Sequence, residues 1–189
     1  MKLLVIGAHH GTGALVVAEA RARGHEVTAF VGDVLDGESV RAAVVDQDAV
    51  ISLLGPREGS PPDLCSLGTR HIVDAMRAAG ASRLLAVTGA MIGHPHEHLG
   101  LLYRAIETFI PHEVLDDRRR SEAIIQESGL RWTLVRPTRL TDGPATGTVR
   151  AGEELRVGAL AHVSRADVAA FLVDTLEADA WVQRGVVLE

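Results

Sequence analysis

The chain has 189 residues, 47% of them hydrophobic, and its 25 acidic against 19 basic side chains give a formal charge of −6. This length suits one sizeable core in a single domain, residues 1–189, and the acidic balance argues against a nucleic-acid surface. One cysteine, Cys65, excludes an intrachain disulfide, no Cys/His cluster has zinc spacing, and no apolar run reaches about 18 residues, so a soluble, cytoplasmic protein with no membrane association, metal or cleaved leader is expected.

The first element is the apolar run Leu3-Leu4-Val5-Ile6, which reads as a strand; from residue 14 onward Ala14, Val17, Ala18 and Ala22 recur at helical spacing. Between them lies Gly7-Ala8-His9-His10-Gly11-Thr12-Gly13. A strand feeding a helix through glycines leaves unpaired N–H groups at the helix N-terminus, where the aligned peptide dipoles favour an anion such as a diphosphate. The usual dinucleotide spelling is G-x-G-x-x-G. Here Gly7 to Gly13 follows the longer G-x-x-G-x-x-G form with His10 at the middle glycine, where a β-carbon is expected to narrow or move the turn. A purely structural glycine turn is the alternative, and two adjacent histidines are too few for a metal site.

Val27 to Val31 is the next strand, and Asp33, 20 residues beyond Gly13, either accepts from the adenosine ribose or simply opens a surface turn. Asp36 is placed to cap a short helix from Gly37 to Val45. A strand over Ala49 to Leu54 leads into Gly55, Pro56, Gly59, Pro61 and Pro62, a segment able to turn over a cofactor with little side-chain bulk. Ser66 to Ala79 reads as a helix with Gly80 at its end, and Arg83 to Val87 as a strand followed by Thr88-Gly89-Ala90. Residues 113 to 128 form a further helix. Its cluster Arg118-Arg119-Arg120 is flanked by Asp116, Asp117 and Glu122, which indicates a solvated, internally compensated face.

After the strand Trp132 to Val135 comes Arg136-Pro137-Thr138-Arg139-Leu140-Thr141-Asp142-Gly143-Pro144, with two proline-limited turns. Arg139 suits a phosphate or an acidic substrate through its guanidinium fork, whereas Arg136 reads equally as a structural arginine paired with an acid of a neighbouring helix. Arg165 to Thr175 is a late helix before a terminal apolar run. Such β-α repetition implies an α/β fold with a mostly parallel sheet covered on both faces, whose ligands gather outside the strands' carboxyl ends. The informative loops are therefore those after residues 6, 31, 54, 87 and 135.

The segments Gly7-Ala8-x-x-x-Thr12-Gly13, Gly32-Asp33-Val34-Leu35-Asp36, Glu127-Ser128-Gly129-Leu130, Arg136 to Pro144, and His162-Val163-Ser164-Arg165-Ala166-Asp167-Val168-Ala169 together resemble the atypical short-chain dehydrogenase/reductases, in particular the NmrA-like and flavin reductase or biliverdin reductase B-like proteins. The resemblance covers nearly the whole chain. It implies a Rossmann-like domain with a small carboxyl-terminal substrate region and a nicotinamide dinucleotide cofactor, commonly NADPH. In such proteins Gly-Asp-Val follows the third strand and approaches the adenine, while an arginine-bearing loop after the second strand meets the 2′-phosphate. Here Val27 to Val31 runs straight into Gly32-Asp33-Val34, so the sheet is expected to be shortened between the second and fourth usual strands. Asp33 then becomes an adenine-side candidate, and the cofactor is NADP(H) or NAD(H).

By the same resemblance the diphosphate lies over Gly7, His10, Gly11, Thr12 and Gly13, with Asp33, Val34, Leu54 and Gly55 on the adenosine side and Thr88, Pro137, Thr138 and Arg139 near the nicotinamide. Pro56, Gly89, Met91, Tyr103 and Arg139 are the acceptor-side candidates. Typical short-chain dehydrogenases pair a tyrosine with a lysine four residues later for acid/base work. The only tyrosine, Tyr103, has Glu107 there and the only lysine is Lys2, so Tyr103 is assigned to packing near the rim and no catalytic acid is assigned. Gly93-His94-Pro95-His96-Glu97-His98 reads as an exposed active-site lid in preference to a metal site. Gly89 and Arg139 replace a serine and a histidine of the biliverdin reductase B-like pattern, which counts against biliverdin or flavin as the native substrate and leaves quinones and other electron-poor rings. An NAD(P)H-dependent reductase acting on a small electron acceptor, as monomer or homodimer, is the first reading; a dinucleotide-responsive regulatory protein without substantial turnover is the second.

Overall fold

A computed structural model describes residues 1–57, 59–94, 98–100, 103, 105 and 108–189. In chain order these residues form β1 (Lys2–Ile6), α1 (Gly11–Ala22), β2 (Glu26–Ala29), α2 (Gly37–Val44), β3 (Ala49–Ser52), α3 (Leu64–Ala79) and β4 (Arg83–Val87). There follow α4 (Ala90–Gly93), α5 (His112–Gln126), β5 (Arg131–Pro137), β6 (Arg139–Thr141), β7 (Ala151–Gly152), β8 (His162–Ser164), α6 (Arg165–Glu177) and β9 (Arg184–Leu188).

The main sheet has the order β2-β1-β3-β4-β5-β9-β7, parallel throughout except for β7, and β6 pairs with β8 in a separate parallel ribbon. Alternate residues of each central strand enter different cores. Leu4, Val50, Leu84 and Leu134 pack with Val40, Ile72, Met76 and Ile125 of α2, α3 and α5. Leu3, Val5, Ile51, Leu85 and Val135 pack on the other face with Val16 and Ala20 of α1 and Val168 and Leu172 of α6. Burial on both faces explains why these strands read as unbroken apolar runs, and each fully buried Leu or Ile contributes about 2 kcal/mol.

The expected shortening is present, since only α2 lies between β2 and β3, and β2 is the sheet's edge. Phe30 and Val34, both buried, fill the space beside α2 and join its core. Arg21 donates through Nη2 to the Val27 carbonyl at 3.2 Å and so occupies one outward-facing acceptor of the open edge. Strand order reverses between β1 and β3, which opens the crevice where such sheets bind ligands.

Several boundaries differ from the sequence reading. Helix α1 begins at Gly11 instead of residue 14, because the apolar spacing marks the packed face while glycine and threonine make the first turn. Helix α3 begins at Leu64, and β5 extends through Arg136 to Pro137. The strands β6, β7 and β8 and the helix α4 had no periodic signal, being two to four residues long.

Candidate functional site

The turn after β1 depends on close backbone approach. Gly7 has φ +80°, and a β-carbon there would stand 2.7 Å from the Leu53 carbonyl oxygen. A β-carbon on Gly13 would collide with the Gly7 carbonyl oxygen, so this glycine lets helix α1 press against the strand end. His10 sits in the turn without backbone strain: it is extended (φ −144°, ψ 154°), a conformation open to any side chain, and Gly11 takes the left-handed one at φ +52°. His10 is the N-cap residue of α1 and its side chain makes no capping bond; the Gly13 amide donates to the His10 carbonyl at 3.1 Å, which leaves the Gly11 and Thr12 amides of this twelve-residue helix to an anion.

This turn forms one wall of a cavity of about 470 Å³ between the ends of β1 and β3. Of the expected cofactor set, Gly7, His10, Thr12, Gly13, Asp33, Val34, Leu54, Gly55 and Thr88 line it, whereas Gly11 does not and instead lies against the Arg165 side chain. Asp33 accepts the Leu35 amide at 2.9 Å through Oδ1, so it holds its own turn while lining the cavity. His9 Nε2 lies 3.0 Å from the Phe30 carbonyl oxygen and ties the glycine turn to the end of β2.

A second cavity of about 560 Å³ brings together Pro56, Gly89, Met91, Tyr103 and Arg139, with Pro137 and Thr138 from the cofactor set. Pro56, Thr88, Arg118 and Leu140 line both cavities, which therefore form one cleft. The Tyr103 hydroxyl donates to the Ala161 carbonyl at 2.5 Å and accepts the Arg139 amide at 2.9 Å, so it braces the rim. Glu107 lies outside the described residues.

Thr88 is fixed at the junction from three sides. Its amide donates to the Val135 carbonyl at 2.9 Å, its hydroxyl donates to Glu122 Oε1 at 2.5 Å, and its carbonyl accepts from Arg118 Nη1 at 3.0 Å. Glu122 in turn pairs with Arg136 at 2.6 Å, both being buried, which makes Arg136 the structural arginine of the two alternatives. Gly93 and Gly185 flank this pair: a β-carbon on the first would collide with Arg136 and Glu122, and one on the second would come within 2.5 Å of Arg136 Nη1.

The solvated arginine cluster expected on α5 requires correction. Arg119 and Arg120 do face acids, Asp116 at 3.3 Å and Asp117 at 3.9 Å, but Arg118 turns into the cleft. The spacing of Leu115, Arg118, Glu122 and Ile125 carried that information, since these residues share one helical face. Arg165, also missed, stands at the start of α6, pairs with Asp142 at 2.6 Å and lines the second cavity. The lid expected at 93–98 is likewise not exposed throughout. His94 is buried, its Nε2 lies 2.7 Å from the Leu155 carbonyl oxygen, and burial lowers its pKa. Pro95, His96 and Glu97 lie outside the described residues, among which no group of three metal-binding side chains occurs. Burial pushes the Cys65 thiol up to about 11, which removes it as a nucleophile.

The residues present fit a nicotinamide dinucleotide. The uncapped α1 terminus opens on the first cavity, and at the far end of the cleft the buried Thr138 hydroxyl has no hydrogen-bond partner among the described residues. A buried hydroxyl left unpaired costs about 1–3 kcal/mol, which a ligand amide would recover.

Comparison with known proteins agrees. The NAD(P)H-binding family matches residues 30–179, a span that begins beyond the glycine turn. An uncharacterized sugar epimerase, YhfK of Bacillus subtilis (strain 168), is 30% identical over 144 residues, which is 74% of this chain and 62% of that protein. A 3-diazoavenalumate denitrifying reductase of Streptomyces sp is 36% identical over 124 residues, 50% of this chain and 40% of its own length. The chain thus spans less than two thirds of these relatives. Among solved structures, ChuY, an anaerobillin reductase from Escherichia coli O157:H7, superposes with a TM-score of 0.83 at 26% identity, covering 100% of this chain and 96% of that one. With its parallel sheet and the cleft at the strand ends, the chain belongs to the NAD(P)H-binding Rossmann-like family, as its resemblance to atypical short-chain dehydrogenase/reductases implied.

Proposed function

We propose that this protein is an NAD(P)H-dependent reductase of a small, electron-poor conjugated acceptor such as a flavin or quinone. The observation that carries the reading is the continuity of the cleft. A cavity of mixed polar and apolar lining at the α1 terminus joins, through Thr88, Arg118 and Leu140, a second cavity walled mainly by apolar side chains. A bound reduced nicotinamide supplies one hydride, carrying two electrons, and water supplies the proton that completes the reduction. The chain's part is positioning: α1 amides hold the diphosphate, Thr88, Pro137 and Thr138 seat the nicotinamide end, and Ile92, Val114, Leu115 and Leu160 keep water from the acceptor. No strong protein acid is required, consistent with a Tyr103 hydroxyl already committed to Ala161 and Arg139.

At the adenosine end Asp33 repels a 2′-phosphate and Arg57, on the loop after β3, attracts one. Calorimetric titration of nucleotide-free protein with NADPH, NADH and the oxidised forms tests the reading and ranks the two cofactors. Saturable binding followed by acceptor-dependent oxidation of the reduced form is expected. Absence of binding to all four, in protein shown to be folded, would sink it.

A regulatory role without turnover is the second reading. It draws on Leu160, 78% exposed in the second cavity's wall, and on Phe109, 86% exposed beside the lining residue Ile110, which offer an apolar surface to a partner. Tight cofactor binding with no oxidation across flavins and quinones would favour it.

A further inference from the structure

We propose that the second cavity selects an acceptor carrying an oxyanion, specifically a carboxylate, on its apolar body, with Arg139 and Arg165 as the residues that hold it. The inference rests on the reductase reading of the same cleft. Its basis is a local reversal of charge. The chain carries 25 acids against 19 bases, yet the cavity wall contains Arg118, Arg139 and Arg165 and no Asp or Glu among its described residues. A concave site with apolar walls focuses the potential of such charges and concentrates anions.

The three guanidiniums differ in what they have left to give. Arg118 commits Nη1 to the Thr88 carbonyl at the junction with the cofactor cavity. Arg165 is held by Asp142, whose side chain is 90% exposed, so the pairing is weakened by solvent and leaves other N–H groups free to bind. Arg139 has no acid or hydrogen-bond partner for its side chain among the described residues, while its amide is fixed to the Tyr103 hydroxyl. Arg139 and Arg165 stand at opposite ends of one short ribbon, since Arg139 opens β6 opposite His162 and Arg165 follows Ser164, the partner of Thr141, and both side chains line the same cavity. Two guanidinium forks on adjoining elements above an apolar floor match a planar molecule with one acid group at its edge.

The test uses the full chain with saturating reduced cofactor and a 1,4-naphthoquinone bearing a carboxylate on its benzenoid ring, alongside its methyl ester and a phosphonate analogue. The expected result is a kcat/KM for the carboxylate about tenfold above that for the ester, a ratio that shrinks with added salt and collapses in Arg139→Ala. Equal values for acid and ester, or a ratio that Arg139→Ala leaves standing, overturn the proposal while the reductase reading survives. Preference for the phosphonate over the carboxylate overturns the carboxylate assignment. Should neither the quinones nor free flavins be reduced, the reductase reading fails, and calorimetry of the carboxylate with the cofactor-bound protein still decides: binding lost in Arg139→Ala supports the anion site, and no binding to the unaltered chain overturns it. An Arg165→Ala variant that raises the cofactor Kd instead of the carboxylate KM assigns Arg165 to the diphosphate, beside Gly11, and overturns its share of the clamp.

Discussion

Arg118 donates to the Thr88 carbonyl at 3.0 Å, and this bond draws one guanidinium out of a charged helix face into the junction of the two cavities. Arg118→Ala removes a cation and an anchor from the place where cofactor and acceptor meet. A loss of about tenfold or more in kcat/KM is expected for every acceptor, with a melting temperature close to that of the unaltered chain. Arg118→Lys restores charge without the fork and should fall between. Steady-state kinetics beside thermal melts check this; an effect on melting alone would reduce Arg118 to packing.

Removing one partner of the Glu122–Arg136 pair leaves a buried charge without compensation. Glu122→Ala is expected to cost about 3–5 kcal/mol, whereas replacing both residues by apolar ones of similar volume costs less than the sum of the single changes. Denaturant unfolding of the four proteins measures both quantities.

Gly13→Val places side-chain atoms where the Gly7 carbonyl oxygen stands. Loss of folded, soluble protein is expected together with any loss of cofactor binding, because the contact is backbone to backbone and cannot yield. Circular dichroism recorded beside the titration separates the two, and a folded variant that fails only to bind would contradict the packing role.

Asp167 anchors the 146–147 turn. It accepts the amides of Thr146 and Gly147 at 2.8 and 3.0 Å and the hydroxyl of Ser164 at 2.7 Å. Burial opposes its ionisation, but the Ser164, Thr146 and Gly147 hydrogen bonds outweigh burial and hold its pKa below the usual 3.8. A carboxylate with a lowered folded-state pKa contributes stability that is complete above 3.8 and is lost as pH falls through the folded value. Asp167→Asn is expected to cost about 2 kcal/mol at neutral pH and to flatten the acid limb of the stability curve, as read by urea midpoints from pH 7 downward.

His94 provides the complementary sign. Burial lowers its pKa from 6.5, so the unfolded chain binds a proton that the folded chain refuses, and stability falls as pH drops below about 6.5. His94→Gln should remove that dependence, and a pH series of melting temperatures from 7.5 to about 5 tests it.

The doubly covered sheet was legible because each buried strand is a short unbroken apolar run and each covering helix keeps its spacing. The missing edge strand was legible too, from the direct passage of Val31 into Gly32-Asp33-Val34. The cleft was half legible. Glycine positions and the loops after β3, β4 and β5 announced it, since loop composition reports backbone demands. Side chains that reach it from a helix face or from another chain region, such as Arg118 and Arg165, gave no local sign, because a charged residue on a helix reads as solvated until its neighbours in space are known. The acids around Arg118 reinforced that impression, and only its register with Leu115 and Ile125 pointed inward.

The glycines on either side of the buried guanidinium bind four distant positions into one hereditary unit. A β-carbon on Gly93 would displace the Arg136 guanidinium and the Glu122 carboxylate, and one on Gly185 the guanidinium alone, so a side chain at either glycine disturbs the buried pair. A change at any one of the four is therefore felt at the buried pair, and a matching change elsewhere among them relieves it. Along a lineage these sites should alter jointly or not at all, although they lie as far as 92 residues apart in the chain, from 93 to 185.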